Sequence, residues 1–383
     1  MEIGKKKLHL LVPTLQLGGQ ERVAVNTADI MRDIYDVTMV IFDSKNAVFS
    51  PSCKVINLDC PALPGFFNKV RNVIRRVVKL SKLYKAEPCD FCLSFGPTAN
   101  LINVLSQNSV RKVVGLRSYR NIKSSAVSKT IFSLSNTILC CSRKIQSDLV
   151  KQHPSYREKT CFLPNPYHAA KLLQQGSLPV ADFVFGPHVI ATHGRLDEVK
   201  NHQRLIKAFS NVVRQLPDAQ LLIIGEGSMR SDLETLIQKY DLANCVTLLG
   251  FRENPFAYLS KASVYALTSY TEGFPNALVE AMFFLPVVSV DCNSGPREIL
   301  SDGSIDCVCA GIEEADHGIL ISPAKKQEWN PNLTEDDQIL ADAILSVLNN
   351  PQKQQCMKEK ARLRAEQFSC DSYRDKLIQI LEK

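Results

Sequence analysis

The chain has 383 residues, 45% of them apolar and 22% charged. That is the composition of a folded globular protein of two or three domains, and it excludes a disordered, collagen-like or disulfide-scaffold chain. The net charge of +7 hides a split: residues 1–180 carry 26 Lys and Arg against 11 Asp and Glu, whereas residues 181–383 carry 20 against 28.

Opposite charge on the two halves points to two domains with different partners, the basic one facing something anionic. No run reaches the ~18 apolar residues of a spanning helix. Lys5, Lys6 and Lys7 precede only a short apolar run at 8–12, too short for a signal-peptide core. The expected location is cytoplasmic. Thirteen cysteines, an odd number spread along the chain, agree with a reducing compartment. Cys89 with Cys92 and Cys307 with Cys309 sit in strand-like runs, have no second pair at zinc spacing, and read as reduced core or near-core thiols.

In chain order, 7–12 is a short apolar run and 20–32 has helical periodicity, with Val23, Thr27, Ile30 and Met31 on one face. Runs at 37–42, 54–58, 89–95, 112–116 and 137–141 read as further buried strands. Residues 65–85 hold seven basic side chains and no acidic one. Phe66, Val70, Val73, Ile74, Val77, Leu80 and Leu83 trace a helical stripe there. Such a basic amphipathic helix suits an anionic membrane surface, or packs on a core with a basic outer side.

A connector rich in Pro, Gly and Ser spans about 163–187. The alternation then restarts, with strands at 188–192, 220–224, 246–249, 264–267, 287–290 and 318–321 and helices at 202–215 and 228–240. Helical segments 335–349, 352–367 and 372–381 close the chain. Repeated β-α alternation predicts two doubly wound parallel sheets in tandem, an α/β architecture whose ligands bind beyond the carboxyl ends of the strands.

Three segments carry chemistry. Gly18 and Gly19 follow the first strand and open a helix, where backbone N–H groups can face an anion. The pattern is not Gly-x-Gly-x-x-Gly, which weakens a dehydrogenase reading. Gly194-Arg195-Leu196-Asp197 with Lys200-Asn201-His202 follows the first strand of the second half, and a fork and a point cation there suit a diphosphate. Thr271 to Ala281 is the most informative. Pro275 suits a first helical position, and Glu272 in the loop and Glu280 in the helix have seven residues between them. Carboxylates accept hydrogen bonds from sugar hydroxyls, and the helix start offers free N–H groups.

Glu-Gly-Phe-Pro-Asn-x-x-x-Glu-Ala-Met at 272–282 resembles the retaining glycosyltransferases of family GT4, which have the GT-B fold. The Gly-Arg-Leu…Lys-Asn-His segment, Gly225-Glu226-Gly227, Leu249-Gly250-Phe251, Leu163-Pro164-Asn165-Pro166 and the early Gly18-Gly19 match that family in order. The resemblance spans nearly the whole chain and is densest at 190–300. It implies two Rossmann-like domains with a cleft between them, 1–165 for the acceptor and 166–371 for the donor, and a last helix at 372–383 packed back on the first domain.

The resemblance also implies roles. Arg195 and Lys200 would take the donor diphosphate, Glu280 the nucleotide ribose and Glu272 the donor sugar. Gly18 and Gly19 would approach the distal phosphate, together with Gly273, Phe274 and the N–H groups of Asn276, Ala277 and Leu278. Gly250, Phe251 and Arg252 would lie beside the base. Relatives carry a histidine near the donor sugar in the first domain. This chain has none between His9 and His153, and Arg117, at a strand end, is the candidate substitute for a sugar or acceptor contact. His193 and His202 read as structural.

The implied activity is transfer of a hexose or N-acetylhexosamine, with retention, from a nucleotide sugar, UDP-linked by expectation. The acceptor would be a saccharide or lipid-linked saccharide in cell-surface polysaccharide or glycan assembly. The sequence has no Asp-x-Asp, so no metal and no cofactor is expected beyond the co-substrate. Residues 65–85 would hold the enzyme on the inner face of the cell membrane, and no nucleic-acid partner is expected. The competing reading is a non-catalytic GT-B-like protein that binds an anionic lipid or nucleic acid.

Overall fold

The computed structural model describes residues 4–16, 18–63, 65–106, 109–122, 125–303, 305–323 and 329–383. Leu17 of the first turn and the side chain of Phe66 in the basic stripe lie outside the described residues. The chain divides into two compact units, 1–166 with 370–383, and 167–369.

The first unit runs β1 (Lys7–Val12), α1 (Gly19–Met31), β2 (Asp36–Ile41), β3 (Lys54–Asn57), α2 (Phe66–Ala86), β4 (Phe91–Phe95), α3 (Pro97–Leu105), β5 (Arg111–Leu116), α4 (Ala126–Leu134), β6 (Thr137–Cys140), α5 (Arg143–Gln152) and β7 (Thr160–Phe162). The strands are parallel, in the order β3-β2-β1-β4-β5-β6-β7. β7 has three residues, too few for periodicity to mark, and the sequence reading misses it. Leu8, Leu10 and Val12 of β1 face α1, whose Val23, Ala24, Thr27 and Met31 are buried. The same core holds Tyr373, Leu377 and Leu381 of the C-terminal helix, Cys370–Glu382. Thr27 Oγ1 and Tyr373 Oη share a hydrogen bond of 2.8 Å inside it.

The second unit runs α6 (Ala169–Gly176), β8 (His188–His193), α7 (His202–Gln215), β9 (Ala219–Ile224), α8 (Arg230–Lys239), β10 (Val246–Gly250), α9 (Phe256–Leu259), β11 (Val264–Leu267), α10 (Asn276–Met282), β12 (Val287–Val290), α11 (Pro296–Leu300), β13 (Ile312–Ala315), β14 (Gly318–Ile321), α12 (Glu335–Leu348) and α13 (Pro351–Glu366). Its sheet order is β10-β9-β8-β11-β12-β14-β13. Only β13 is antiparallel to its neighbour among the described strands. The sequence reading misses β13, because Ile312–Ala315 is half polar and makes an exposed edge.

Cys89, Cys92 and Cys309 are buried and Cys307 is exposed, and of the four only Cys92 lies in a strand, which corrects the expectation for both pairs. Burial pushes the Cys92 thiol up to about 12, so it is an inert packing group.

The basic helix departs from the expected stripe. Leu80 and Tyr84 are buried, and Val77 and Leu83 pack on the same cluster. Val70 and Ile74 lie on the other side with Phe67 and Val78, and all four are exposed. Positions 67, 70, 74 and 78 share one helical face, so α2 carries two apolar faces.

Candidate functional site

Reversal of strand order creates a switch point where neighbouring loops part. In the second unit it falls between β8 and β11, which pair in parallel through Val264 with Ile190 and Tyr265 with Ala191. The loop after β8 carries Arg195 and Lys200; the loop after β11 carries Glu272 and leads into α10 with Glu280. Both motif segments are thus placed by one topological feature.

The β8 loop is pinned by the loop after β9. Leu196 N donates to Glu226 O and Met229 N to Leu196 O, each at 2.9 Å. A Cβ on Gly225 would stand 1.8 Å from Gly194 O, and one on Gly227 2.3 Å from Leu196 O. Only glycine permits these backbones to pass so closely. Asp197 Oδ1 accepts from Lys200 N at 3.1 Å, closing the turn Glu198–Lys200. His202 Nε2 donates to Arg195 O at 3.3 Å, and burial lowers the ring to about 4. His202 is a brace of this turn.

Two carboxylates meet two nitrogen groups here. Lys200 Nζ lies 2.7 Å from Glu272 Oε1, with both side chains largely covered. His193 Nε2 lies 2.9 Å from Glu280 Oε2, both buried. Reading His193 as merely structural misses this contact; its place at the last position of β8, on the switch-point edge, is the signal that marks it. Arg195 stands apart, its side chain 76% exposed and Nη2 3.2 Å from Asp197 Oδ2.

Pro275 is the N-cap of α10, with extended φ −71° and ψ 96°, and the helix starts at Asn276. The proline therefore precedes the first turn and is not its first residue. Leu278 N and Val279 N both donate to Pro275 O, while Asn276 Oδ1 accepts from Tyr167 Oη at 2.7 Å. Ala277 is half-buried and Leu278 buried. Phe274 is buried edge-on to Phe368, ring centroids 5.3 Å apart. Ser294 Oγ, beyond β12, hydrogen-bonds Glu272 O and Gly273 O at 2.9 Å each. Ser294 is a bracing residue that sequence reasoning does not find, although the Asn-Ser-Gly-Pro turn at 293–296 is its signature.

At the end of β10, Gly250 has φ +80° and its carbonyl accepts from Gly225 N at 2.9 Å. Phe251 is 48% exposed. The Arg252 guanidinium is committed to Asp182 Oδ2 at 2.7 Å and Tyr258 Oη at 3.1 Å. Tyr258 and Arg252 together hold the Asp182 carboxyl below its ordinary range. Of this loop, Phe251 presents the ring that stacking on a base needs.

In the first unit, Gly18 is the extended N-cap of α1 and Gly19 its first residue. A Cβ on Gly18 would meet Glu21 Oε2 at 2.0 Å. The turn therefore offers a buried carboxylate beside its N–H groups, and not N–H groups alone. Arg117, just beyond β5, donates from Nη1 to Asn165 Oδ1 and lies 5.0 Å over the Phe95 ring. Its Nε and Nη2 are buried without a partner.

Residues 182–364 match the family model described as glycosyl transferases group 1. Over 95% of this chain and 96% of the relative, the sequence is 28% identical to a Campylobacter jejuni enzyme. That enzyme is N-acetylgalactosamine-N,N'-diacetylbacillosaminyl-diphospho-undecaprenol 4-alpha-N-acetylgalactosaminyltransferase. It is also 28% identical to an uncharacterized glycosyltransferase of Methanocaldococcus jannaschii, over 73% of this chain and 76% of that one. Among solved structures, Anabaena HepE in complex with UDP and glucose superposes with a TM-score of 0.74 at 19% identity, covering 99% of this chain and all of that one. Sucrose-phosphate synthase of Thermosynechococcus elongatus gives 0.75, also at 19% identity, over 99% and 98%. The fold is GT-B, and the chain is a glycosyltransferase whose residues 182–364 carry the group 1 match.

Proposed function

We propose that this glycosyltransferase is a retaining, metal-independent member of family GT4. It moves a hexose or N-acetylhexosamine from a UDP-sugar to a saccharide or lipid-linked saccharide in cell-surface glycan assembly. The observation that carries the reading is the meeting of Lys200 with Glu272 and of His193 with Glu280 at one switch point. The name of the C. jejuni relative, with its undecaprenol-linked acceptor, supports the acceptor class, and UDP in the Anabaena structure supports the base.

The chemistry follows from charge. As the sugar–phosphate bond breaks, the leaving diphosphate gains negative charge, and Arg195 and Lys200 stabilise it. A well-placed electrostatic donor contributes ~3–4 kcal/mol to the transition state. Exposed Arg195 is able to swing onto the ligand, whereas Lys200 is held in place by Glu272. The same Glu272 accepts from hydroxyls of the donor sugar, and Glu280 accepts from the ribose. A diphosphate oxygen takes the proton of the acceptor hydroxyl as the hydroxyl oxygen bonds the anomeric carbon on the face that the diphosphate vacates, so no side chain is needed as general base. Arg117, with unpaired N–H groups, is the first unit's candidate for a sugar or acceptor contact. A purely binding role leaves these paired site residues without a use.

No helix among the described residues is long and apolar enough to cross a membrane. The outer face of α2, with Phe67, Val70, Ile74 and Val78 beside Arg71, Arg75, Lys82 and Lys85, supports peripheral attachment to an anionic leaflet. On this reading the enzyme works in the cytoplasm, at the inner face of the cell membrane, where a lipid-linked acceptor would be held.

The test is incubation with UDP-glucose, UDP-N-acetylglucosamine and UDP-N-acetylgalactosamine and a saccharide acceptor, followed by NMR of the product. Retention and an undiminished rate in EDTA are expected. An inverted product overturns the retaining assignment, and loss of activity in EDTA the metal independence.

A further inference from the structure

We infer that His193 is a positioning residue that locks the carboxylate of Glu280 in the orientation needed to grip a nucleotide ribose. This rests on the assignment of Glu280 to the ribose. His193 ends β8, and its Nε2 is 2.9 Å from Glu280 Oε2 on α10. The ring has little freedom: it packs edge-on to Tyr265 and Phe256, with centroids 5.5 and 6.4 Å away. Both side chains of the pair are nine-tenths or more covered.

The proton can be placed by elimination. A carboxylate only accepts, so the hydrogen of this bond sits on Nε2. Nδ1 is buried and has no partner, so this ring makes no second hydrogen bond that could turn it away from Glu280. The ring is therefore a single-purpose donor from Nε2. It fixes the plane of the Glu280 carboxylate before any nucleotide arrives, so less ordering remains for the binding step. The lock joins a strand to a helix, which are rigid supports for such a group.

The ribose hydroxyls are the readout that a general packing role does not move. UDP and 2′-deoxy-UDP are titrated by calorimetry into wild type, His193→Phe, His193→Gln and Glu280→Gln. The phenylalanine keeps the ring and removes the donor; the glutamine restores an N–H at similar reach. The expected result for His193→Phe is about tenfold weaker UDP binding with little change for 2′-deoxy-UDP, and a KM for the nucleotide sugar raised more than kcat is lowered. His193→Gln should recover most of the preference. His193→Met removes the donor with a smaller side chain and serves as the second test of folding and binding.

If wild type and Glu280→Gln differ in ribose preference while the Phe and Met variants keep the wild-type ratio, the lock is wrong and the ribose assignment stands. Equal weakening of both nucleotides by His193→Phe and His193→Met makes His193 a packing residue and overturns the lock. If wild type itself fails to distinguish the two nucleotides, the ribose role of Glu280 falls and the lock falls with it.

Discussion

Lys200 Nζ and Glu272 Oε1 are 2.7 Å apart across the switch point of the second sheet, with only 19% and 12% of their side chains exposed. The cation assigned to the diphosphate and the carboxylate assigned to the sugar are therefore one pair. Neither charge stands alone: each offsets the other in a largely covered site.

This coupling makes the two single substitutions unlike. Lys200→Ala removes a donor and leaves the Glu272 carboxylate facing the diphosphate, so UDP affinity and kcat/KM should both fall about tenfold or more, ~1.4 kcal/mol or above. Glu272→Gln frees the lysine and should leave UDP affinity unchanged or higher while turnover drops. The double variant should lose less than the product of the singles, since contacting residues do not add. Calorimetry and initial rates decide it, and equal loss of UDP affinity in the two singles would refute the division of roles.

Much of this site is legible in the sequence because it rides on apolar strand runs that end at marked positions. Gly194, Glu272 and Glu280 can be placed from the strands before them, and the glycines at 225 and 227 from turn chemistry. Side-chain partners are not legible. Nothing local tells that Lys200 faces Glu272, 72 residues away, or that His193 faces Glu280. Those contacts exist because β8 and β11 are neighbours, and sheet order is a non-local property. The same limit explains α2, where periodicity shows an apolar stripe but not which part the core covers. Short or half-polar strands such as β7 and the edge strand β13 leave no periodic signal.

Stability should fall on mild acidification. Burial lowers His9 and His202 to about 4, against ~6.5 in an unfolded chain. Between those values the unfolded state binds the protons, so stability rises with pH over that window and is full above it. Each group contributes on the order of 3 kcal/mol to that dependence. Urea midpoints from pH 7.5 to 4.5 should show the loss, and His202→Gln should flatten it. A slope unchanged by that substitution would mean that His202 binds its proton equally well folded and unfolded, and would overturn the assignment.

Arg117 offers a separable test on the first unit. Its guanidinium is stacked on Phe95 and bonded to Asn165, with Nε and Nη2 buried and unpartnered. Unpaired donors of a cation are costly unless a ligand uses them. Arg117→Met should lower turnover about tenfold or more and leave calorimetric UDP affinity near wild type. Full activity in this variant would return Arg117 to a packing role against Phe95.

The membrane prediction turns on which of the seven basic residues of α2 are available. Arg76 is not: Nε and Nη2 donate to Cys60 O at 3.0 and 2.6 Å, and the guanidinium lies 4.5 Å over Phe42. Lys79 is not either, since Nζ donates to Leu58 O at 2.6 Å. Substituting these two should lower Tm and say little about lipid. Arg71, Arg75, Lys82 and Lys85 are exposed beside an apolar face whose Phe67 and Ile74 are 88% and 60% exposed. Each basic residue near an anionic surface contributes ~1 kcal/mol, so changing all four to Gln should weaken vesicle binding by two to three orders of magnitude. The wild-type enzyme should sediment with vesicles of mixed anionic and neutral lipid, stay in solution with neutral ones, and be released by salt, which screens surface charge beyond ~8 Å. Ile74→Asp should also release it without disturbing the buried face. Turnover on a water-soluble acceptor should survive in both variants. If the fourfold variant pellets as well as wild type, the basic face of α2 is only a solvated surface.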